Sequence, residues 1–183
     1  MSPLLRFKDV SLRRGGRLLF EGLNLELAPG ERLHVAGPNG SGKSSLIRLA
    51  AGLLDAESGE VQRTPLALAD DHLALDRELP LRKALAFWSG DVDEAMDGLG
   101  LTDLAQVPVR LLSSGQAKRA TLARVAASAT PLWLLDEPLN GLDAEGAGQL
   151  SRVIDDHIAT GGGVIGASHL PLRGKWRTLD LGA

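Results

Sequence analysis

Residues Gly37-Pro38-Asn39-Gly40-Ser41-Gly42-Lys43-Ser44 fit the pattern G-x-x-x-x-G-K-[ST], and no other stretch restricts the fold of this chain so tightly. Such a loop works where a strand feeds it and a helix leaves it. Its glycines let consecutive backbone N–H groups converge, and the helix adds its positive N-terminal end. The flanks meet that demand: Arg32-Leu33-His34-Val35-Ala36 reads as a short buried strand, and Leu46, Leu49, Ala50 and Leu53 recur at helical spacing across Ser44 to Leu54. The concavity suits phosphate. Lys43 brings a full charge on a flexible stem that can reach β- and γ-phosphates, and the Ser44 hydroxyl suits Mg²⁺. Chance produces the pattern in about one chain of this length in a hundred, so the reading needs a second motif.

Leu132-Trp133-Leu134-Leu135-Asp136-Glu137 supplies it. Four bulky apolar residues predict a buried strand, which places Asp136 at the carboxyl edge of a sheet, where ligands sit in open α/β folds. There Asp136 is a natural partner for Mg²⁺, and Glu137 can polarise an attacking water. Val164-Ile165-Gly166-Ala167 repeats the geometry and ends in Ser168-His169, putting an imidazole at the same edge, within reach of a γ-phosphate or the water. Leu112-Ser113-Ser114-Gly115-Gln116 precedes a predicted helix from Ala117 to Ser128. Ser113 or Ser114 can cap that helix, which makes a second helix N-terminus suited to an anion.

The remaining pattern predicts an α/β chain. Leu4 to Phe7, Leu18 to Phe20 and Leu23 to Leu27 read as short strands punctuated by Gly15-Gly16 and Pro29-Gly30. From about Glu78 to Ser128, apolar residues such as Leu81, Leu85, Ala95, Met96 and Leu99 suggest short helices separated by Ser89-Gly90 and Gly98-Gly100. A helix around Ala144 to Thr160 follows, then a Gly161-Gly162-Gly163 turn and the strand at Val164. Such alternation predicts a mostly parallel sheet core with an antiparallel β edge and an inserted helical lobe. The 183 residues, 44% of them hydrophobic, suffice for a single domain: core 1–77 and 129–183, helical lobe about 78–128.

A net charge of −3, with no basic block longer than Arg13-Arg14, argues against a dedicated nucleic-acid binder. The chain has no cysteine, which excludes disulfides and thiolate metal sites and fits a reducing compartment. No stretch approaches a membrane span, since Ala120 to Leu135 is broken by Arg124 and Pro131. Arg6, Lys8 and Asp9 near the start leave no apolar export signal, so a cytoplasmic chain is expected.

Taken in order, these motifs resemble those of the nucleotide-binding domains of ABC transporters, a branch of the P-loop NTPases. Gly37 to Ser44 is similar to Walker A, Leu112 to Gln116 to the signature, Leu132 to Glu137 to Walker B, Asn140-Gly141-Leu142-Asp143 to the D-loop, and His169 to the switch histidine. The resemblance implies an ATPase using ATP and Mg²⁺. Its catalytic residues would be Glu137, His169 and Lys43, and its metal ligands Ser44 and Asp136. Nucleotide contacts would come from Gly37, Pro38, Asn39, Gly40, Ser41, Gly42, Lys43, Ser44, Ser45 and Arg14, and, across a head-to-tail homodimer formed with ATP, from Ser113, Ser114, Gly115, Gln116 and Asp143. Arg14 stands where the family usually stacks an aromatic on adenine, and a guanidinium can stack on a base too. The family's Q-loop glutamine is absent; His72 in Asp70-Asp71-His72 is the nearest candidate. Ser114 replaces a commoner glycine, and the segment from Gly59 to His72 is short for the family, which implies a trimmed β-subdomain.

Val107-Pro108-Val109-Arg110, Pro131 to Asn140 and Ser168-His169-Leu170-Pro171-Leu172 carry a narrower resemblance, to the ATP-binding subunits of haem exporters in cytochrome c maturation. That branch implies integral membrane partners of the CcmB and CcmC type, no nucleic-acid partner, and a place on the cytoplasmic face of a bacterial inner membrane. ATP hydrolysis would drive haem or holo-chaperone release. Two other readings stay open. A soluble ABC ATPase acting on DNA or ribosomes is opposed by the near-neutral charge and the lack of coiled-coil heptads. A nucleotide-dependent module that scarcely turns over is favoured by the missing glutamine and opposed by Lys43 with Glu137.

Overall fold

The computed structural model describes residues 2–88 and 90–182. It divides into two compact units: Met1–Leu68 with Thr130–Glu137 and His157–Ala183, and Ala69–Ala129 with Pro138–Asp156. Ser89, part of an expected helix break, lies outside the described residues.

The first unit begins with an antiparallel sheet in the order β2-β1-β4, formed by β1 (Leu5–Arg14), β2 (Arg17–Leu27) and β4 (Ser58–Arg63). Gly15 and Gly16 both take positive φ, the requirement of a two-residue hairpin turn whose twist matches its strands. β1 is longer than the expected Leu4–Phe7, and β2 is continuous where two strands were predicted. Irregular register between Phe7 and Val10 and between Val10 and Leu12 breaks the two-residue alternation that would have revealed them. Asp9 takes a left-handed φ at the first of these, and Asn24 clamps it by accepting its N–H at 3.0 Å.

The second sheet runs β5-β6-β7-β3-β8, from β3 (Arg32–Ala36), β5 (Leu66–Ala69), β6 (Leu132–Asp136), β7 (Gly163–Ala167) and β8 (Arg177–Asp180). β3 pairs in parallel with β7 and β8, and β6 in parallel with β7, as the alternating pattern predicts. Every residue of β6 and β7 is buried, which explains their unbroken apolar runs. Helix α1 (Lys43–Ala51) contributes Leu46, Ile47, Leu49 and Ala50 to a core shared with Phe7, Leu27, Leu33, Val35, Leu134 and Ile165. Full burial of each large side chain is worth about 1.5–3 kcal/mol. The helix stops short of the expected Leu54 because Gly52 turns left-handed and caps it, while the Arg63 guanidinium donates to the Leu49 and Ala50 carbonyls at 3.1 Å.

The second unit is helical: α2 (Leu81–Leu85), α3 (Val92–Gly98), α4 (Ser114–Ala126) and most of α5 (Ala144–Ala159). Leu81, Leu85, Met96, Leu99 and Leu101 fill its interior. Asp91 caps α3 by accepting the Glu94 N–H at 3.0 Å. The guanidinium of Arg124, on α4, lies over the Trp88 ring at 5.1 Å, and burial lowers its pKa. Among the described residues no helix is long and apolar enough to cross a membrane.

Candidate nucleotide site

β3 ends at Ala36, and the chain turns through a loop with positive φ at Gly37, Gly40 and Gly42. A side chain at Gly37 would place its Cβ 2.7 Å from Ser41 Oγ, and one at Gly42 would press on Leu19 at 3.4 Å. Gly42 is the N-cap of α1 and provides no side-chain cap, so the first-turn N–H groups point outward unclosed. The loop thus fits an anion by backbone geometry, and the buried Ser41 Oγ, which has no hydrogen-bond partner among the described residues, adds a donor beside it.

Lys43 is 5% exposed, with Nζ donating to Gly37 O at 2.8 Å and Pro38 O at 3.0 Å. Ser44 Oγ donates to Asp136 Oδ1 at 3.0 Å, joining the first turn of α1 to the end of β6. One hydroxyl and one carboxylate form a donor set suited to Mg²⁺, which keeps waters and phosphate oxygens as its other ligands. Arg14 Nη1 donates to Ser45 Oγ at 3.4 Å. Arg14, Leu19, Asn39, Gly40, Lys43, Ser44, Ser45 and Glu137 line a cleft of about 420 Å³. No aromatic side chain lines it among the described residues.

Glu137 stands just past β6 with φ of 44°, a left-handed conformation that costs a non-glycine residue about 1–3 kcal/mol. Its N–H donates to Ala167 O at 2.8 Å, which ties the strained residue to the end of β7. The turned side chain brings Oε2 to 2.9 Å from His169 Nδ1 and Oε1 to 3.9 Å from Lys43 Nζ. A carboxylate only accepts, so Nδ1 of His169 carries the proton. Sequence reasoning passed over His34, whose Nε2 lies 3.0 Å from Ser168 O. A polar residue inside a strand, between two fully buried neighbours, was the available signal.

The second unit holds the other expected contacts. Ser113 Oγ accepts the Gln116 N–H at 3.3 Å and Gln116 Oε1 accepts the Ser113 N–H at 2.8 Å, a reciprocal capping box. Helix α4 therefore starts at Ser114, three residues before the expected Ala117. A Cβ on Gly115 would lie 3.1 Å from Gly141 O, so the loop through Asn140 packs tightly on the start of α4. Asp143 Oδ1 accepts the Gly146 N–H at 2.7 Å and caps α5. His72 is held by Asp70, its Nδ1 3.1 Å from Asp70 Oδ2, with a side chain 79% exposed.

A model of the ABC transporter family matches residues 20–140. The cytochrome c biogenesis ATP-binding export protein CcmA of Novosphingobium aromaticivorans is 55% identical over 168 residues, covering 90% of this chain and 87% of that one. Its namesake in Sphingopyxis alaskensis is 52% identical over 180 residues, covering 94% and 93%. A solved ATP-binding subunit of an ABC transporter superposes with a TM-score of 0.81 over 91% of this chain and 80% of that chain; at 21% identity it shares the fold. With the phosphate loop, the acidic strand end and these relatives together, the chain belongs to the ABC transporter family, as an ATP-binding subunit resembling the CcmA proteins.

Proposed function

We propose that this chain binds and hydrolyses ATP with Mg²⁺ as the peripheral motor of an exporter in cytochrome c biogenesis. It would work on the cytoplasmic face of a bacterial inner membrane with integral subunits of the CcmB and CcmC type, its turnover driving haem or holo-chaperone release. The observation that carries the hydrolytic part is the placement of Glu137 between His169 and Lys43 on a strained backbone. The names and 49–55% identity of three CcmA relatives support the exporter part.

The chain's own groups divide the work. The α1 amides and Lys43 bind the β- and γ-phosphates, with Lys43 exchanging its contacts to Gly37 O and Pro38 O for phosphate oxygens. Ser44 and Asp136 would hold Mg²⁺, which when bound would neutralise phosphate charge. His169 occupies Glu137 Oε2, which leaves Oε1, on the Lys43 side, to take the proton from the attacking water. The neutral His169 tautomer keeps a lone pair on Nε2; the protonated ring offers a second donor toward the γ-phosphate. Arg14 and Leu19 form the cleft wall where the base would rest, the guanidinium stacking in place of an aromatic ring. Ser113 to Gln116 and Asp143 of a second copy would complete each site, which makes the ATP-bound state a homodimer.

The test of the exporter part is extraction. The tagged chain, expressed at low level in its native cells and extracted in mild detergent, is expected to bring down small polytopic membrane proteins with haem-handling partners. Recovery of ribosomal or nucleic-acid partners instead, with no membrane association, would refute the transporter assignment.

A further inference from the structure

We propose that His34 is a positioning residue for His169: by holding the Ser168 carbonyl it sets the peptide plane from which the switch imidazole projects. The inference rests on the role given to His169 above. β3 lies between β7 and β8, with His34 paired to Gly166 and to Thr178. Leu33 and Val35, fully buried, point into the core, so alternation sends the His34 side chain to the opposite face. Residues paired in parallel register share a face, and there Gly166 has no side chain. Leu172 and Trp176 fill the space above Gly166, a Cβ on it falling 2.5 Å from Leu172 Cδ1. The segment after β7 therefore folds back over the face that His34 occupies.

His34 Nε2 meets Ser168 O at 3.0 Å. A carbonyl only accepts, so Nε2 is protonated and donates. The Ser168 N–H donates to Val35 O at 3.2 Å, so adjacent residues of β3 grip both polar groups of one residue. Ser168 is 1% exposed and its Oγ accepts the Leu170 N–H at 3.0 Å, which fixes the turn beyond. Ser168 O and the His169 nitrogen share one planar peptide unit. Fixing that oxygen fixes the plane, hence the direction in which His169 leaves the chain toward Glu137 Oε2, 2.9 Å away. Without the His34 donor the Ser168 N–H contact still anchors the preceding peptide unit, and the plane that carries Ser168 O can turn about the Ser168 Cα–C bond. The phosphate loop is built separately, from Gly37 onward, so His34 should govern turnover rather than ATP binding.

The experiment compares His34→Ala, His34→Gln and His169→Ala in the full chain, purified with the proteins that co-extract with it, reading kcat, KM for ATP and the thermal midpoint. His34→Ala is expected to lower kcat about tenfold to a hundredfold, the cost of a misplaced reacting group, with KM within about twofold. His34→Gln places an amide donor near the Nε2 position and should recover most of the loss. Unchanged kcat in His34→Ala beside a large loss in His169→Ala overturns the inference and leaves the reading of His169 intact. A loss that Gln does not rescue, with kcat, KM and thermal midpoint all affected, also overturns it, since that marks a packing role. Unchanged turnover in His169→Ala, or no turnover in the parent, removes the reading of His169 and this inference with it.

Discussion

Helices α1 and α4 both start beside serine and glycine, yet their first turns are finished in opposite ways. At α1 the N-cap is a left-handed glycine with no side chain to offer, and the next residue is a buried lysine. At α4 the N-cap is Ser113, and Ser113 with Gln116 satisfies the turn internally. A helix end left open waits for an anion, whereas one closed by its own side chains is stable without it. The first turn is therefore suited to bind phosphate alone; in the proposed homodimer the second would add contacts to a nucleotide already held by another copy. The same contrast appears in the acids: Glu137 lines the cleft and Asp136 Oδ1 accepts from Ser44 of its lining, but Asp143 Oδ1 is used to cap α5.

The strongest way to break this comparison is Lys43→Ala, expected to weaken ATP binding by about a hundredfold, since a charge-assisted contact to phosphate contributes about 1.5–3 kcal/mol. Isothermal titration would show it, and near-parental affinity would mean that the loop binds through its amides alone. Gly42→Ala is next: a left-handed cap pressed on Leu19 should cost about 1 kcal/mol in stability and several-fold in affinity, visible in thermal melts with and without ATP. Ser113→Ala sharpens the contrast, because loss of the cap costs about 1 kcal/mol and lowers the melting midpoint by a few degrees. ATP affinity of the isolated chain should stay within about twofold; a larger drop would place α4 in the primary site.

The smallest effect concerns pH. His157 stacks on Trp133 at 3.7 Å, and burial lowers its pKa, so the folded chain keeps it neutral. The unfolded chain binds the proton more readily, so stability present above about pH 6.5 is lost as pH falls toward the depressed folded value. His157→Phe, which keeps the stack, should flatten that slope in denaturant melts at pH 5.5 to 7.5, expressed as ~0 change where the parent declines.

Much of the nucleotide site was legible because its elements carry strong local signals. Arg32–Ala36 was predicted with its observed bounds, and α1 differed by one residue at its start and three at its end. The rest was hidden where tertiary pairing overrides local pattern. β8 is Arg177–Asp180, a polar, mostly exposed segment that becomes a strand only because β3 offers its backbone edge. β4 is likewise exposed and is held by the ladder to β1. The positions of Glu137 and His169 just past two strands were legible, but the left-handed turn that aims Glu137 leaves no trace in residue type. The contact made by His34 was hidden for a related reason, since its partner lies 134 positions away.

The measurement that tests the account most directly is single-turnover hydrolysis and ATP binding by Glu137→Gln beside the parent. The amide keeps the size and the contact to His169 but cannot take a proton from water. Unchanged ATP affinity, hydrolysis slower by about 10²- to 10⁴-fold, and an ATP-dependent dimer that persists on a sizing column are the predicted results. Hydrolysis at the parental rate would contradict the assignment of Glu137 as the base.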